Sequence, residues 1–351
     1  MSPIAISEES PKYIQQQISL DDAAVKGLVR DLHRANQGIY WTDLLGTCLV
    51  GWVSFAAAVV LKPFSPWMLA GVLLSVCTLY RALCFMHEIT HQSARSLPHF
   101  ETVWNWLVGF PLLMPSFVYV GVHQSHHRIN IYGTAQDPEY LPFAHSRKMT
   151  TVFALESFFI PIALFFRFIV LTPIGLLFPR FQKMLVVYGS SLTMNVKYRR
   201  ECIPELVNKV RRDSLITLGI WAVVAAAVSA GLLPWRIFLV WFAVDSLISF
   251  VNTLRTLGAH AYENEGEQMD RTGQLLDSID TPGAFYTELW APVGLRYHAL
   301  HHYFPGIPYH NLAEAYRRIM SHVLVSADYA EMTSPSLQHS LRELYRKGEG
   351  K

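Results

Sequence analysis

Four long apolar segments restrict the folds that this chain of 351 residues can adopt. They cover residues 44–61, 67–86, 215–233 and 237–257. Each is long enough to cross a lipid bilayer as an α-helix, in which the backbone satisfies its own hydrogen bonds. Short turns rich in proline separate the first segment from the second and the third from the fourth. The sequence therefore predicts an all-α integral membrane protein with four transmembrane helices in two hairpins.

Composition and charge agree with a membrane protein. Charged residues make up 16% of the chain, whereas soluble proteins contain about 25%. The turns inside the two hairpins hold one basic residue each, Lys62 and Arg236, and most other basic residues lie outside the hairpins. The positive-inside rule then places both termini in the cytoplasm. The net charge of +2 and the dispersed basic residues give no indication of nucleic-acid binding.

The remaining apolar stretches are interrupted. Residues 103–120 contain Pro111 and Pro115, so we expect a broken or interfacial segment. Residues 152–178 carry Glu156 and Arg167 and would form either one span or, as we expect, interfacial helices on the membrane. No spanning run follows residue 257, which predicts a mainly helical cytoplasmic cap.

Three histidine clusters lie next to the apolar segments. The first has two histidines four residues apart, and the other two share the pattern H-x-x-H-H. Together they contain His87, His91, His123, His126, His127, His298, His301 and His302. With 15 histidines in the chain, chance would give about 0.03 copies of the H-x-x-H-H pattern, so two copies are significant. Histidines at this spacing share one face of a helix, an arrangement that suits metal binding.

The number of clustered histidines indicates two metals. Eight imidazoles exceed the four ligands of a zinc ion. Imidazole suits iron, zinc, copper and nickel, and a site of neutral nitrogen donors beside lipid favours dioxygen chemistry on iron. His260, just after the fourth apolar segment, is a ninth candidate ligand.

In order and spacing, these clusters resemble the three histidine boxes of membrane fatty acid desaturases and their hydroxylase relatives. Residues 126–140, 252–267 and 290–312 are also similar to stand-alone bacterial members, and the resemblance covers roughly residues 44–320. It implies four spanning helices, interfacial helices and a cytoplasmic cap that holds a histidine-rich dimetal site. The implied division is an N-terminal cytoplasmic arm (1–41), a desaturase-like domain (42–320) and a C-terminal cytoplasmic tail (321–351) in the bacterial inner membrane.

The resemblance also implies ligands and chemistry. The eight box histidines and His260 would hold two irons, with O₂ as co-substrate. The implied reaction is desaturation of a fatty acyl chain on a lipid or thioester; the alternative is hydroxylation of a hydrophobic substrate. Electrons would come from a separate ferredoxin or cytochrome b5-like protein and its reductase. Arg199, Arg200, Arg211 and Arg212 are membrane anchors or a docking site for that donor.

One departure from the family pattern bears on the reaction. In acyl-CoA desaturases an asparagine lies one turn before the histidine that His260 matches. Here that position is Thr256, and the nearest asparagine is Asn252, one turn further back. The choice between desaturation and hydroxylation therefore stays open at the level of sequence.

Two other interpretations of the histidines compete with this one. Residues 87–91 also match H-E-x-x-H, the motif of zinc metalloproteases, with Glu88 as the base. A protease, like a non-enzymatic metal-binding protein, leaves the paired H-x-x-H-H clusters without a catalytic role. We instead expect Glu88 to support an imidazole.

Three further polar residues are candidates near the site. Asp137 is expected to form a turn or hydrogen bonds, and His310 is expected to be structural. Asp245 lies within a span, where it would contact a polar headgroup, Arg255 or a neighbouring helix.

Overall fold

The computed structural model describes residues 22–322 and 329–349. The first 21 residues of the predicted arm, and residues 323–328 and 350–351 of the predicted tail, lie outside the described residues. Within the described ranges the secondary structure consists of helices and three isolated β-bridges. The all-α membrane fold expected from the sequence is thus confirmed.

The membrane part is formed by long helices and by short helices between them. In chain order these are α1 (Asp22–Val29), α2 (Gln37–Val60), α3 (Pro66–His91), α4 (Phe100–Trp104), α5 (Val122–His126), α6 (Arg147–Glu156), α7 (Ile160–Phe165), α8 (Thr172–Leu177), α9 (Pro179–Gly189), α10 (Pro204–Ser229) and α11 (Arg236–Leu257). Short 3-10 helices lie at Arg30–His33, Ser116–Val118, Phe143–His145 and Ser157–Phe159, and π-helical turns lie at Asn105–Gly109 and Phe166–Leu171.

The first hairpin, α2 and α3, is defined by local sequence signals. The Asn36 side chain caps α2 by accepting hydrogen bonds from the amides of Gly38 and Ile39. Ser65 caps α3, which begins at a proline, the residue best suited to the first helical position. No breaker follows the apolar part of α3, so the helix continues to His91 and carries the first two clustered histidines out of the membrane.

Five helices in the described residues are long and apolar enough to cross a membrane. Four correspond to the predicted spans. The fifth, Arg147–Leu177, includes the segment that we expected to lie on the membrane surface. It joins α6, α7 and α8 through 3-10 and π-helical turns near Pro161 and Pro173. The count of four spans therefore stays a prediction.

The segment around Pro111 and Pro115 is broken, and it is not one of the five long helices. A π-helical turn, Asn105–Gly109, follows α4, and the chain then folds back. The Asn105 side chain fixes this return by hydrogen bonds to the amide of Ser116 (2.7 Å) and to its hydroxyl (2.9 Å).

The cap contains short helices joined by loops. They are α12 (Arg271–Asp277), a 3-10 helix (Phe285–Leu289), α13 (His298–Tyr303), α14 (Tyr309–Met320) and α15 (Leu337–Lys347). Isolated bridges pair His260 with Ser278, and pair Asp280 with both Tyr297 and Thr333. These bridges bring the end of α11, the end of α12 and the start of α13 together.

Candidate metal centre

Nine histidines from the three sequence clusters and the end of α11 form two adjacent groups. The five-histidine group contains His87, His91, His123, His127 and His301, and the four-histidine group contains His126, His260, His298 and His302. Within each group the candidate ligand atoms all lie within 4.8 Å of one another. The structure therefore brings together every histidine that the sequence indicated as a ligand.

Short helices place these side chains. His123 and His126 lie on α5, which follows Gly121, a residue with a φ of +85°. A side chain other than hydrogen would be strained at that φ and would meet the Arg200 guanidinium at 2.9 Å. The four-residue spacing on α13 points His298 and His302 into the same group, whereas His301 points into the other.

Asp280 holds the start of α13. Its carboxylate accepts hydrogen bonds from the amides of Ala299 (2.7 Å) and Leu300 (3.2 Å), which are free at the first turn of a helix. The Tyr329 hydroxyl donates to the other carboxylate oxygen at 2.6 Å. Because α13 contributes to both groups, Asp280 fixes their relative position.

In the five-histidine group the Nε2 atoms converge. His301 Nε2 lies 3.1 Å from His91 Nε2 and 3.3 Å from His127 Nε2. His127 Nε2 lies 3.0 Å from His123 Nε2. His87 is buried, and neither of its ring nitrogens has a hydrogen-bond partner in the part of the chain that the structure describes. His91 and His127 are half-buried, so this group reaches the surface of the cap.

The four-histidine group is fully buried. His298 Nε2 lies 2.8 Å from His260 Nε2 and 3.1 Å from His302 Nε2. The two groups are in contact, because the rings of His127 and His302 stack with their centroids 4.3 Å apart.

Carboxylates orient one histidine of α5 in each group. Both oxygens of Asp137 lie 2.9 Å from His126 Nδ1, and Glu139 lies 2.9 Å from His123 Nδ1. Each imidazole thus turns its Nε2 toward its group, as hydrogen bonds to carboxylates do at metal sites. Asp137 also accepts hydrogen bonds from the amides of Gly133 and Glu139, consistent with its expected turn role.

A buried network around Asp277 supports His260. The Tyr132 hydroxyl lies 2.8 Å from His260 Nδ1 and donates to Asp277 at 2.7 Å. Tyr140 donates to the second oxygen of Asp277 at 2.9 Å. On the same helix, Gln274 Nε2 lies 3.3 Å from His302 Nδ1. Sequence reasoning missed this network because its members are far apart in the chain.

Burial keeps most of these imidazoles neutral. Loss of solvent lowers the pKa of His123, His127, His298, His301 and His302 well below its usual range, and neighbouring histidines lower it further. A neutral imidazole offers the lone pair that a metal needs.

His126 is the exception. Burial disfavours its charged form, but the adjacent Asp137 carboxylate outweighs this effect and raises the pKa of His126. Burial also raises the pKa of Glu139 to about 7.

The donor set fits two metal ions. A shared proton can join only two of the converging nitrogens, whereas a cation among them can accept all their lone pairs. Five imidazoles exceed the tetrahedral shell of zinc, and imidazole ligands suit iron. Both groups can therefore hold a metal ion.

Glu88 belongs to neither group and forms its hydrogen bonds with residues outside them. Its carboxylate accepts hydrogen bonds from the Tyr40 hydroxyl and from the Tyr309 amide (3.1 Å), and it lies 3.8 Å from His87 Nδ1. The zinc-protease interpretation requires this carboxylate at the metal, so the geometry does not favour it. His310 also lies outside the groups, where its Nε2 accepts a hydrogen bond from the Asn36 amide at 3.1 Å.

The polar residues of α11 lie at different places relative to the site. Asp245 is buried, and neither carboxylate oxygen has a hydrogen-bond partner among the described residues. Asn252 accepts a hydrogen bond from Arg255 at 2.9 Å. The carbonyl of Thr256 accepts one from the Tyr262 hydroxyl at 3.0 Å, one turn before His260.

Some of the basic residues proposed for donor docking are engaged elsewhere. Arg200 donates to the carbonyls of Phe117, Val120 and Ser190 and so joins the connection before α5 to the end of α9. Arg212 pairs with Asp213 at 2.8 Å.

Comparison with known proteins gives two matches. The family described as fatty acid desaturase matches residues 64–334, a range that includes all nine histidines. A curated protein named ceramide hydroxylase, from Caulobacter vibrioides (strain NA1000 / CB15N), is 38% identical over 333 residues. This alignment covers 94% of the present chain and 94% of the relative.

Proposed function

The chain belongs to the fatty acid desaturase family, and we propose that it is an O₂-dependent di-iron hydroxylase of ceramide-type lipids. The observation that carries this choice is the similarity to a ceramide hydroxylase along almost the whole chain. That similarity includes the cap and the spanning helices, where substrate and product are selected. The sequence alone favoured desaturation over hydroxylation, and this similarity now favours hydroxylation.

We propose that the two histidine groups hold one iron each. Iron bound there supplies the oxidising power needed to attack an unactivated C–H bond with O₂. The overall hydroxylation converts C–H, O₂, two electrons and two protons into C–OH and H₂O. The two electrons come from a separate donor protein, for which a ferredoxin or a cytochrome b5-like protein with its reductase is the proposed class.

The protein's own contribution is positioning. Asp137, Glu139 and Asp277 hold imidazoles or the tyrosine beside them through buried hydrogen bonds, so that the ligand nitrogens are fixed before metal binds. The four-histidine group is fully buried, which excludes bulk water from that side of the site. No side chain is required as a nucleophile.

The second candidate is desaturation of an acyl chain, which the family description favours. Desaturation uses the same ligands and removes two hydrogens from neighbouring carbons, with two H₂O formed per O₂ and two electrons. Thr256 stands at the position of the asparagine of acyl-CoA desaturases, so the desaturase pattern is not matched at this position. We further propose the bacterial inner membrane as the location, with the metal centre on the cytoplasmic side.

Lipid analysis tests the proposal. The chain and a His301→Ala variant are expressed in a bacterium that contains ceramide, and extracted lipids are compared by mass spectrometry. We expect a ceramide species heavier by one oxygen only with the unaltered chain. A product lighter by two hydrogens would establish desaturation, and unchanged ceramide with altered acyl lipids would contradict the substrate class.

A further inference from the structure

Arg255 lies beside the metal centre, and no carboxylate among the described residues forms an ion pair with it. It lies in the last turn of α11, which packs against α3. Its guanidinium lies next to the side chains of Tyr80, Cys84 and Tyr119. It therefore occupies the space between the spanning helices and the histidines.

The position of Arg255 relative to the five-histidine group follows from helix geometry. Cys84 and Tyr80 precede His87 by three and seven residues on α3 and share its face. The guanidinium, beside Cys84, therefore lies on the membrane side of His87. Tyr119, its third neighbour, stacks on His123 with ring centroids 4.8 Å apart.

The hydrogen bonds of Arg255 are incomplete. One Nη atom donates to the Asn252 side chain at 2.9 Å, but Nε is buried and has no acceptor. No carboxylate of the described residues lies within ion-pair distance of the guanidinium. Arg81, on the neighbouring helix, differs because it pairs with both Asp43 and Glu288. A buried donor without an acceptor is costly, so an acceptor from outside the described residues would stabilise the Nε atom of Arg255.

A guanidinium only donates hydrogen bonds, so the missing group must be an acceptor. A substrate oxidised far from its polar end would place plain methylene groups here, which cannot accept a hydrogen bond. We propose that Arg255 binds the amide carbonyl of the lipid substrate and thereby directs hydroxylation to a carbon a few bonds from that amide. This inference rests on the proposed ceramide-type substrate.

The structure offers a competing anchor at the opposite end of α11. An apolar cavity of about 90 Å³ is lined by residues that include Trp52, Trp221 and Trp241. Trp241 precedes Arg255 by 14 residues, or about 21 Å along the helix. If this cavity held the methyl end of the substrate, it would fix the reacting carbon by its distance from that end.

A series of chain lengths separates the two anchors. Ceramides whose N-acyl chains differ by two and four carbons are supplied to the purified iron-loaded enzyme. The hydroxyl position is then located by fragmentation mass spectrometry. We expect the hydroxyl at the same carbon, counted from the amide, in all products. A position constant from the methyl end would overturn the inference while leaving the proposed hydroxylase function intact.

Substitution of Arg255 provides the second test. Arg255→Gln should raise the KM for ceramide about 10–100-fold, the expected value of a charged hydrogen bond, and should yield a mixture of hydroxyl positions. Arg255→Lys, which keeps the charge, should restore part of the selectivity. Arg236→Gln, at the other end of the same helix, is the matched control and should keep the normal KM. An unchanged KM with one product from Arg255→Gln would contradict the role.

Binding to the metal-free protein gives a readout without turnover. Native mass spectrometry would compare retention of a ceramide with that of a dialkylglycerol ether of equal chain lengths, which lacks a carbonyl. We expect the unaltered chain to prefer the ceramide and Arg255→Gln to lose this preference. An Arg255-dependent preference without ceramide turnover would contradict the proposed function and would leave only the carbonyl-binding role of Arg255. Equal retention by both proteins would remove the inference.

Discussion

The two histidine groups are assembled in different ways. The five-histidine group draws its ligands from regular helix spacing on α3, α5 and α13, and carboxylate support reaches it through Glu139 on His123. The four-histidine group also takes ligands from α5 and α13, but His260 lies after the end of α11 and is held by a buried network of Asp277 and two tyrosines, while Asp137 holds His126. The first group reaches the surface, whereas the second is enclosed. The comparison indicates that helix periodicity places ligands in both groups, and that the four-histidine group needs in addition a buried hydrogen-bond network for the one ligand outside a helix.

Removal of a ligand should have the largest effect in either group. His301→Ala and His260→Ala are each expected to abolish turnover and to remove about one iron per chain, because each deletes an imidazole of one group. Metal analysis and a turnover assay of membrane-inserted protein measure both effects. His310→Ala is the matched control, since His310 lies outside both groups and should retain iron. Full activity in either ligand variant would contradict the assignment.

Loss of the Asp277 carboxylate should act on the four-histidine group alone. Asp277→Asn weakens the acceptor shared by Tyr132 and Tyr140, which frees His260 to rotate. We expect metal affinity of that group to fall about 10–100-fold, with the other iron retained. A chelator titration that follows iron release would resolve two steps in the variant. Simultaneous release of both irons would show that the groups are not held independently.

Loss of the Glu139 carboxylate, which supports the five-histidine group, should lower metal affinity less than loss of the Asp277 carboxylate does. Glu139→Gln keeps a hydrogen-bond acceptor for His123 and affects one of five ligands. We therefore expect a loss of metal affinity near the lower end of the range, about 10-fold. The same chelator titration applies, and an effect larger than that of Asp277→Asn would reverse the comparison.

Asp280 holds the start of α13, which contributes to both groups, and it should make the stability of the folded protein depend on pH. Burial raises the pKa of Asp280 to about 7, so the folded protein binds a proton there that the unfolded chain releases above its ordinary carboxyl pKa. Stability from this group is therefore present at acidic pH and is lost as the pH rises toward and through 7. Thermal unfolding at pH 6 and pH 8 should show a larger decrease for the unaltered chain than for Asp280→Asn. Equal decreases would contradict the raised pKa.

The sequence predicted the features that follow from segment length and from regular residue spacing. Apolar length gave the spanning helices, and the spacing of His123 with His126 and His127 gave the candidate ligands of α5. Whether residues 152–178 cross the membrane or lie on it is not decided by composition, since the segment is apolar but interrupted by prolines.

Long-range partners were beyond the reach of sequence reasoning. Glu139 lies within the Asp-Pro-Glu stretch after the second cluster and could have been recognised beside Asp137. Asp277 and Asp280 carry no local signal, because their partners are set by bridges between distant loops. The same holds for Arg255, because the burial of its Nε atom without an acceptor among the described residues depends on the packing of α11 against α3.

Metal analysis of the purified protein tests the central claim most directly. The protein is purified from cells without added metal and analysed by inductively coupled plasma mass spectrometry against its amino-acid concentration. Two occupied histidine groups predict about two irons per chain and little zinc. One zinc per chain without iron, as in a zinc protease, would contradict the account.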